Sequence, residues 1–162
     1  MRVLFSLLLC LAFSTPATAT LTQFTGKVIS ISDGDTITVI TPDKQQVKIR
    51  LYGIACPKRG QAFGDRAKQA TSDVVFKRIV TAQPIETDRH SRTVAIVYMP
   101  RGGSLNELLV REGLAWVYPQ VCKRKDFCRP LKLLEDAARN AGRGLWADKE
   151  PVPPWLWRER RK

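Results

Sequence analysis

The sequence is poor in the side chains that build zinc sites. It has 162 residues, of which four are cysteine and one is histidine. Cys10 lies within an N-terminal apolar run, and His90 has no metal-finger spacing to Cys56, Cys122 or Cys128. A structural zinc site is therefore not expected. Internal repeats and low-complexity linkers are also lacking, and the length fits one domain with an ordinary core.

Acidic residues are few relative to basic ones. The chain has 27 lysines and arginines against 15 acidic residues, which gives a formal net charge of +12. No acidic residue occurs between residues 44 and 64, although this stretch contains Lys44, Lys48, Arg50, Lys58 and Arg59. A field of this sign favours polyanions, which include nucleic acid, an anionic membrane surface and acidic polymers. Charge alone does not separate these partners from a merely soluble basic protein.

The one long apolar run lies close to the N-terminus. Arg2 precedes an apolar segment at 3–13, which is followed by a polar, helix-breaking Ser-Thr-Pro segment and a small-x-small cleavage pattern at 17–19. We interpret residues 1–19 as a signal peptide; a buried N-terminal helix is the alternative. The run is too short to span a bilayer as a mature helix, so no stable membrane insertion is expected after cleavage. The protein is expected to be exported, either periplasmic or secreted.

Three cysteines would remain after cleavage. Disulfides persist in the compartments that exported proteins reach. Cys122 and Cys128 enclose the short segment KRKDF and are the natural pair, which would leave Cys56 free. The other pairings stay open, because connectivity does not follow from sequence.

Hydrophobic periodicity predicts a strand-rich domain. Strands are predicted at 24–32, 36–41, 46–54, 78–86 and 93–99, and helices at 61–76 and 129–141. A further helix is predicted to begin after Ser104, which can cap it together with Glu107 three residues on. The first three strands read as an antiparallel meander, and Pro84 indicates an edge or a bulge in the fourth. Five short strands with inserted helices favour a small closed barrel over a sandwich or a parallel sheet.

The C-terminal segment 149–162 differs in kind from the predicted domain at 20–148. It contains PVPPWLWRERRK, whose prolines favour an extended path and whose end is basic. Trp155 and Trp157 could stack on bases or pack the tail against the barrel, and packing is the more common outcome for such tails.

Three charged clusters could bind or cleave a phosphodiester. The first is the turn Asp33-Gly34-Asp35, the second is Arg50, and the third is the segment DRHSR at 88–92. Taken singly, the first also fits a plain hairpin turn, the second a solvent-exposed charge on a strand, and the third a solvent-exposed loop. Together they suit a phosphodiester, because arginine forks bind phosphate and carboxylates bind a hard divalent cation such as calcium.

The motifs in which these clusters lie resemble the staphylococcal nuclease (thermonuclease) family. They occur in the order VISISDGDTITV, RLYGIACP, FGDRAKQAT, DRHSRTVAIVY, LNELLVREGLAWVY and ARNAGRGLW, across nearly the whole mature chain. The resemblance implies an α+β fold, a five-stranded OB-type β-barrel with three α-helices. It also implies calcium-dependent hydrolysis of DNA and RNA.

The resemblance assigns roles to individual residues. Asp35 matches the family's first calcium-ligand aspartate, Arg50 the first phosphate-binding arginine, and Arg92 the arginine that meets the transition-state phosphate. Arg89 falls where the family commonly has a basic residue. His90 falls where it usually has tyrosine and could stack or hydrogen-bond near a nucleotide, although an exposed loop histidine is an equally good interpretation.

Two departures from the family pattern fall in the turn ACPK. Ala55 stands at the second calcium-ligand position, and Lys58 stands at the position of the glutamate that serves as general base. Alanine offers calcium no side-chain oxygen, and lysine is a cation at neutral pH that repels a divalent ion. The general base alone contributes roughly 10²–10⁴-fold, so hydrolysis is expected to be impaired and calcium binding weakened or lost. Lys58 and Arg59 add positive charge for nucleic-acid binding.

Three hypotheses follow. The first is an exported protein that binds DNA or RNA but hydrolyses it poorly, and we expect it to be a monomer. The second is an active nuclease with a rearranged metal site, which retention of Arg50 and Arg92 supports. The third is an envelope scaffold or binding module that does not bind nucleic acid, which the cysteines and the Pro-Trp tail support.

Overall fold

A computed structural model describes residues 22–160. The predicted signal peptide at 1–19 lies outside the described residues. Within them, the strands are β1 (Phe24–Asp33), β2 (Thr36–Ile40), β3 (Gln46–Leu51), β4 (Ile54–Ala55), β5 (Ile79–Thr87), β6 (Thr93–Tyr98) and β7 (Trp116–Val117). The helices are α1 (Gly64–Val75), α2 (Leu105–Arg111), α3 (Lys125–Asn140) and α4 (Pro154–Glu159), and a 3₁₀ turn spans Gly144–Ala147.

Five of the strands close into a barrel in the order β1-β2-β3-β6-β5. The β3–β6 pairing is parallel and the other barrel pairings are antiparallel, so the predicted meander of β1, β2 and β3 is confirmed. Alternating β-branched residues of these strands, Val28, Ile37, Val39 and Ile49, are fully buried in the core. The barrel and its three longer helices confirm the α+β OB-type fold.

Local signals explain several element boundaries. The Ser104–Glu107 capping box is formed and begins α2. Pro84 lies beside a register shift between β5 and β6, so it marks a bulge; β5 pairs on both sides and is not an edge strand. The β3–β4 turn requires glycine, because Gly53 has a φ of 74° and a Cβ there would lie 2.6 Å from Sγ of Cys122.

Two predictions about the C-terminal third were wrong. The predicted third helix forms as α3, but it begins at Lys125 and not at 129. Pro130 is tolerated in its second turn, where it removes one backbone hydrogen bond. The tail was expected to be extended, but Pro154–Glu159 forms the short helix α4 with Pro154 at its first position. Proline is favourable at that position, since its missing N–H has no partner within the helix.

Candidate nucleic-acid site

Asp35 is the most deeply buried charged group of the candidate site. It lies in the turn between β1 and β2, and it is 0% exposed. The Cys56 backbone N–H donates to its Oδ2 at 2.7 Å, and the Thr36 hydroxyl donates to its Oδ1 at 3.0 Å. The turn packs closely on α1, because a Cβ at Gly34 would lie 2.8 Å from that of Ala67. The carboxylate is therefore held rigidly by the barrel and by residues 56–61, the segment after β4 that we call the β4 turn.

Two cations complete the surroundings of Asp35. The ammonium of Lys58 lies 3.0 and 3.1 Å from the two carboxylate oxygens of Asp35 and 3.4 Å from Oδ2 of Asp33. Arg50 places Nη1 2.9 Å from Oδ2 of Asp35 and donates from Nη2 to the carbonyl of Ile54 at 2.9 Å. Burial alone would raise the pKa of Asp35, but the charges of Arg50 and Lys58 and the Cys56 N–H outweigh it, and the pKa is lowered. Asp35 is an ionised group with its charge internally compensated.

The second arginine belongs to a more exposed loop between β5 and β6. Arg92 pairs with Asp88 through Nη2 at 2.6 Å and Nε at 2.7 Å. The Asp88 carboxylate also accepts backbone N–H groups from His90 and Arg92 at 2.8 and 3.0 Å. Burial would raise the pKa of Asp88, but these hydrogen bonds lower it to about 2. The loop thus holds Arg92 in place while leaving its guanidinium partly open to solvent.

A cleft of about 370 Å³ joins the two arginines. Four of the predicted nucleic-acid-binding residues line it, namely Arg50, Arg89, His90 and Arg92. Lys58 and Arg59 do not. The Lys58 ammonium faces the two aspartates, and Arg59 lines a separate depression with Asp65 and Lys68. The structure therefore brings Arg50 of β3 close to the 88–92 loop. The Lys58 side chain points away from the cleft, towards Asp33 and Asp35.

Comparison with known proteins decides the family. The family model described as "Staphylococcal nuclease homologue" matches residues 48–148. The micrococcal nuclease of Shigella flexneri is 39% identical over 160 residues, which cover 94% of this chain and 88% of that protein. This chain belongs to the staphylococcal nuclease family. An uncharacterized endonuclease of Escherichia coli O157:H7 is 38% identical over 136 residues, 84% of this chain and 86% of that protein. One of Haemophilus influenzae is 34% identical over 154 residues, 95% of this chain and 84% of that protein.

The staphylococcal nuclease resemblance implies calcium, but the donors present here do not fit that ion. The Asp35 oxygens are already bonded to the Lys58 ammonium, the Arg50 guanidinium and the Cys56 N–H. Ala55 is buried and contributes a methyl group where a second carboxylate ligand would be needed. Across residues 22–160, no group of three or more His, Cys, Asp or Glu side chains is arranged to hold a metal ion.

Within residues 22–160, the cysteines of this family member divide into a bonded pair and a buried thiol. Cys122 and Cys128 form a disulfide with their Cα atoms 5.8 Å apart. Cys56 is free and 0% exposed, and burial together with the charge of Asp35 raises its pKa well above the usual value. Cys56 is therefore an inert structural thiol whose backbone, not its sulfur, serves the site.

The sequence analysis did not predict that Tyr118 and Arg158 line the cleft. Tyr118 follows β7, and its ring stacks on Trp155 of α4 at 4.8 Å with an interplanar angle of 10°. Arg158 lies on the same short helix. The signals available in the sequence were the motif that ends in WVY and the basic run at the end of the tail, and neither predicted where the tail docks. No helix within residues 22–160 combines the length and hydrophobicity that a membrane span requires.

Proposed function

We propose that this protein is an exported member of the staphylococcal nuclease family that binds DNA or RNA and hydrolyses it poorly by the calcium-dependent route. The observation that carries the proposal is the position of the Lys58 ammonium between Asp35 and Asp33. A cation fixed there satisfies the carboxylates that would otherwise attract a divalent ion. The relatives carry the names micrococcal nuclease and uncharacterized endonuclease, which supports nucleic acid as the ligand class.

Catalytic impairment follows from two separate losses. Lysine at 58 cannot accept a proton from water while it carries its own, and a general base contributes roughly 10²–10⁴-fold to such reactions. An added positive charge also opposes entry of calcium next to Asp35. Binding need not suffer, because four arginines and one histidine still face the cleft against the two carboxylates of Glu86 and Asp88.

Cleavage of single-stranded DNA and RNA in calcium and in chelator tests the proposal. The expected rate in calcium is at least about 10²-fold below that of a family nuclease that carries the glutamate, since the base is absent here. The double change Ala55→Asp with Lys58→Glu should raise the calcium-dependent rate. A preparation carrying Arg50→Gln and Arg92→Gln measures contaminating nuclease. Calcium-dependent cleavage by the unmodified protein at the rate of that glutamate-carrying nuclease would overturn the proposed impairment.

An active nuclease with a rearranged site is the second candidate. The observation that favours it is that Arg50 and Arg92 line one cleft, as phosphoryl chemistry needs. The same assay separates the two functions. Cleavage that persists in chelator and disappears in the Arg92→Gln variant would favour the second candidate.

Export is supported by the N-terminal segment and by the disulfide. Residues 1–19 have the order of features of a signal peptide, and the Cys122–Cys128 disulfide suits an oxidising compartment. The protein recovered from the producing cells should begin at Thr20 and fractionate with the periplasm or the medium. Recovery of an uncut chain from the cytoplasm would contradict export.

A further inference from the structure

The C-terminal tail forms one side of the cleft that holds the two family arginines. Trp155 stacks on Tyr118 at 4.8 Å and meets the ring of Trp116 edge-on at 5.9 Å. The Gln61 amide donates to the carbonyl of Val152 at 2.6 Å, which ties the segment before α4 to the β4 turn. The tail is therefore docked at two points, one on each side of the start of α4.

This docking determines where Arg158 lies. Residues three apart on a helix share a face, so Arg158 projects from the same side of α4 as Trp155. Trp155 holds that side against Tyr118, which itself lines the cleft. Arg158 accordingly lines the cleft together with Arg50, Arg89 and Arg92.

The charges in the cleft are not equivalent. Arg50 is engaged by Asp35, and Arg92 is engaged by Asp88. Among residues 22–160, neither Arg89 nor Arg158 forms an ion pair with a carboxylate. Arg158 is also exposed to solvent. An uncompensated guanidinium at the rim of a cleft favours an anionic ligand such as a phosphate.

We infer that Arg158 is a phosphate-binding residue of the nucleic-acid cleft, supplied by the C-terminal tail and positioned by the Trp155–Tyr118 stack. The inference rests on the proposed nucleic-acid binding. It adds to that proposal a contact outside the residues 48–148 that match the family model.

The test is titration of the chain from Thr20 to Lys162 with a fluorescently labelled single-stranded oligonucleotide at several salt concentrations. Arg158→Gln should weaken binding about fivefold at low salt, and the slope of log K against log salt should become shallower by about 0.7. Arg158→Lys should keep most of the slope, because it keeps the charge. Arg101→Gln is the matched control, since Arg101 is an exposed arginine that does not line the cleft.

A second variant tests the positioning. Trp155→Ala should weaken binding to a similar extent, and adding Arg158→Gln to it should weaken binding little further. Circular dichroism confirms that each variant is folded. If Arg158→Gln behaves like Arg101→Gln while Arg92→Gln weakens binding, this inference fails and the proposed function stands. If the unmodified protein binds no oligonucleotide at low salt, both fail.

Discussion

The Asp35 cluster (Asp35 with Arg50 and Lys58) and the Asp88 loop (residues 88–92) both pair an arginine with an aspartate, but they differ in exposure to solvent. Each holds an arginine against an aspartate, with N–O distances of 2.9 Å for Arg50 and 2.6 Å for Arg92. The Asp35 side chain is 0% exposed and has a second cation in Lys58, whereas the Asp88 side chain is 19% exposed and has none. Burial makes the first arrangement part of the fold. The second remains close to water, where a phosphate can compete for the arginine.

This difference separates structural from ligand-binding charge. In the Asp35 cluster, removing one partner leaves a buried charge uncompensated, which is costly. In the Asp88 loop, solvent compensates either partner, so the pair contributes little to stability. Changes at the two places should therefore differ in their effect on stability, and four predictions test this in order of expected effect.

Asp35→Ala should cause the largest loss. It leaves Lys58 and Arg50 without their shared carboxylate, and the free energy of unfolding should fall by about 3–5 kcal/mol. Urea denaturation followed by circular dichroism measures the change. Asp33→Ala is the matched control, because Asp33 has one longer contact to Lys58 at 3.4 Å and is partly exposed. Equal losses of stability in Asp35→Ala and Asp33→Ala would contradict the structural role assigned to the buried Asp35 carboxylate.

Lys58→Glu should make stability depend on calcium. The change places a third carboxylate beside Asp33 and Asp35, so the variant should be less stable than the unmodified protein in chelator. Calcium at about 100 times its Kd should restore about 2.7 kcal/mol. Thermal unfolding with calcium or chelator measures this. Lys58→Met removes the ammonium without adding an oxygen ligand and should show a smaller calcium response than Lys58→Glu; a calcium response of the unmodified protein would contradict the prediction.

Arg92→Gln and Arg50→Gln should differ in stability and agree in binding. Both remove a guanidinium from the cleft, and each should weaken oligonucleotide binding by about 1 kcal/mol, or roughly fivefold. Arg92→Gln should change the free energy of unfolding by less than about 1 kcal/mol, and Arg50→Gln should lower it by more, because Asp35 is buried. Binding and urea denaturation are measured on the same preparations. Equal losses of stability would show that exposure does not decide the outcome.

Asp88→Asn should have the smallest effect, and this effect should depend on pH. The folded-state pKa of about 2 lies below the ordinary value of about 3.9, so ionised Asp88 stabilises the folded state above pH about 4. That contribution, about 1 kcal/mol after screening by solvent, is lost as the pH falls towards about 2. Unfolding of both proteins from pH 7 to pH 2 measures it. A difference that stays constant over this range would contradict the assignment.

The barrel could be predicted because its signals are local. Val28, Val39 and Ile49 lie in strands whose alternating apolar residues and flanking turns are visible in the sequence. The capping box of Ser104 and Glu107 predicts the start of α2. Helix α4 could not be predicted in this way. Its prolines are typical of an extended segment, and its helix is stabilised by the contact of Trp155 with Tyr118, which lies far away in the sequence.

The candidate site likewise has parts that the sequence predicts and parts that depend on tertiary contacts. The motifs identified Asp35, Arg50 and Arg92, and they also showed that Lys58 replaces an acid. The direction of the Lys58 ammonium depends on how β4 closes against the turn between β1 and β2, more than 20 residues earlier. The presence of Arg158 in the cleft depends on tail docking. Both are tertiary outcomes that periodicity and motif spacing do not encode.

The burial of Cys56 has a consequence for how the protein matures. A thiolate that cannot reach solvent does not attack a disulfide, so in the folded protein Cys56 cannot exchange with the Cys122–Cys128 bond. Wrong pairing is possible only while the chain is still open, and the short loop between Cys122 and Cys128 closes far faster than a pairing that involves residue 56. We therefore expect oxidative folding to proceed without an isomerase. In the chain that begins at Thr20, alkylation should label one cysteine after denaturation and none before it.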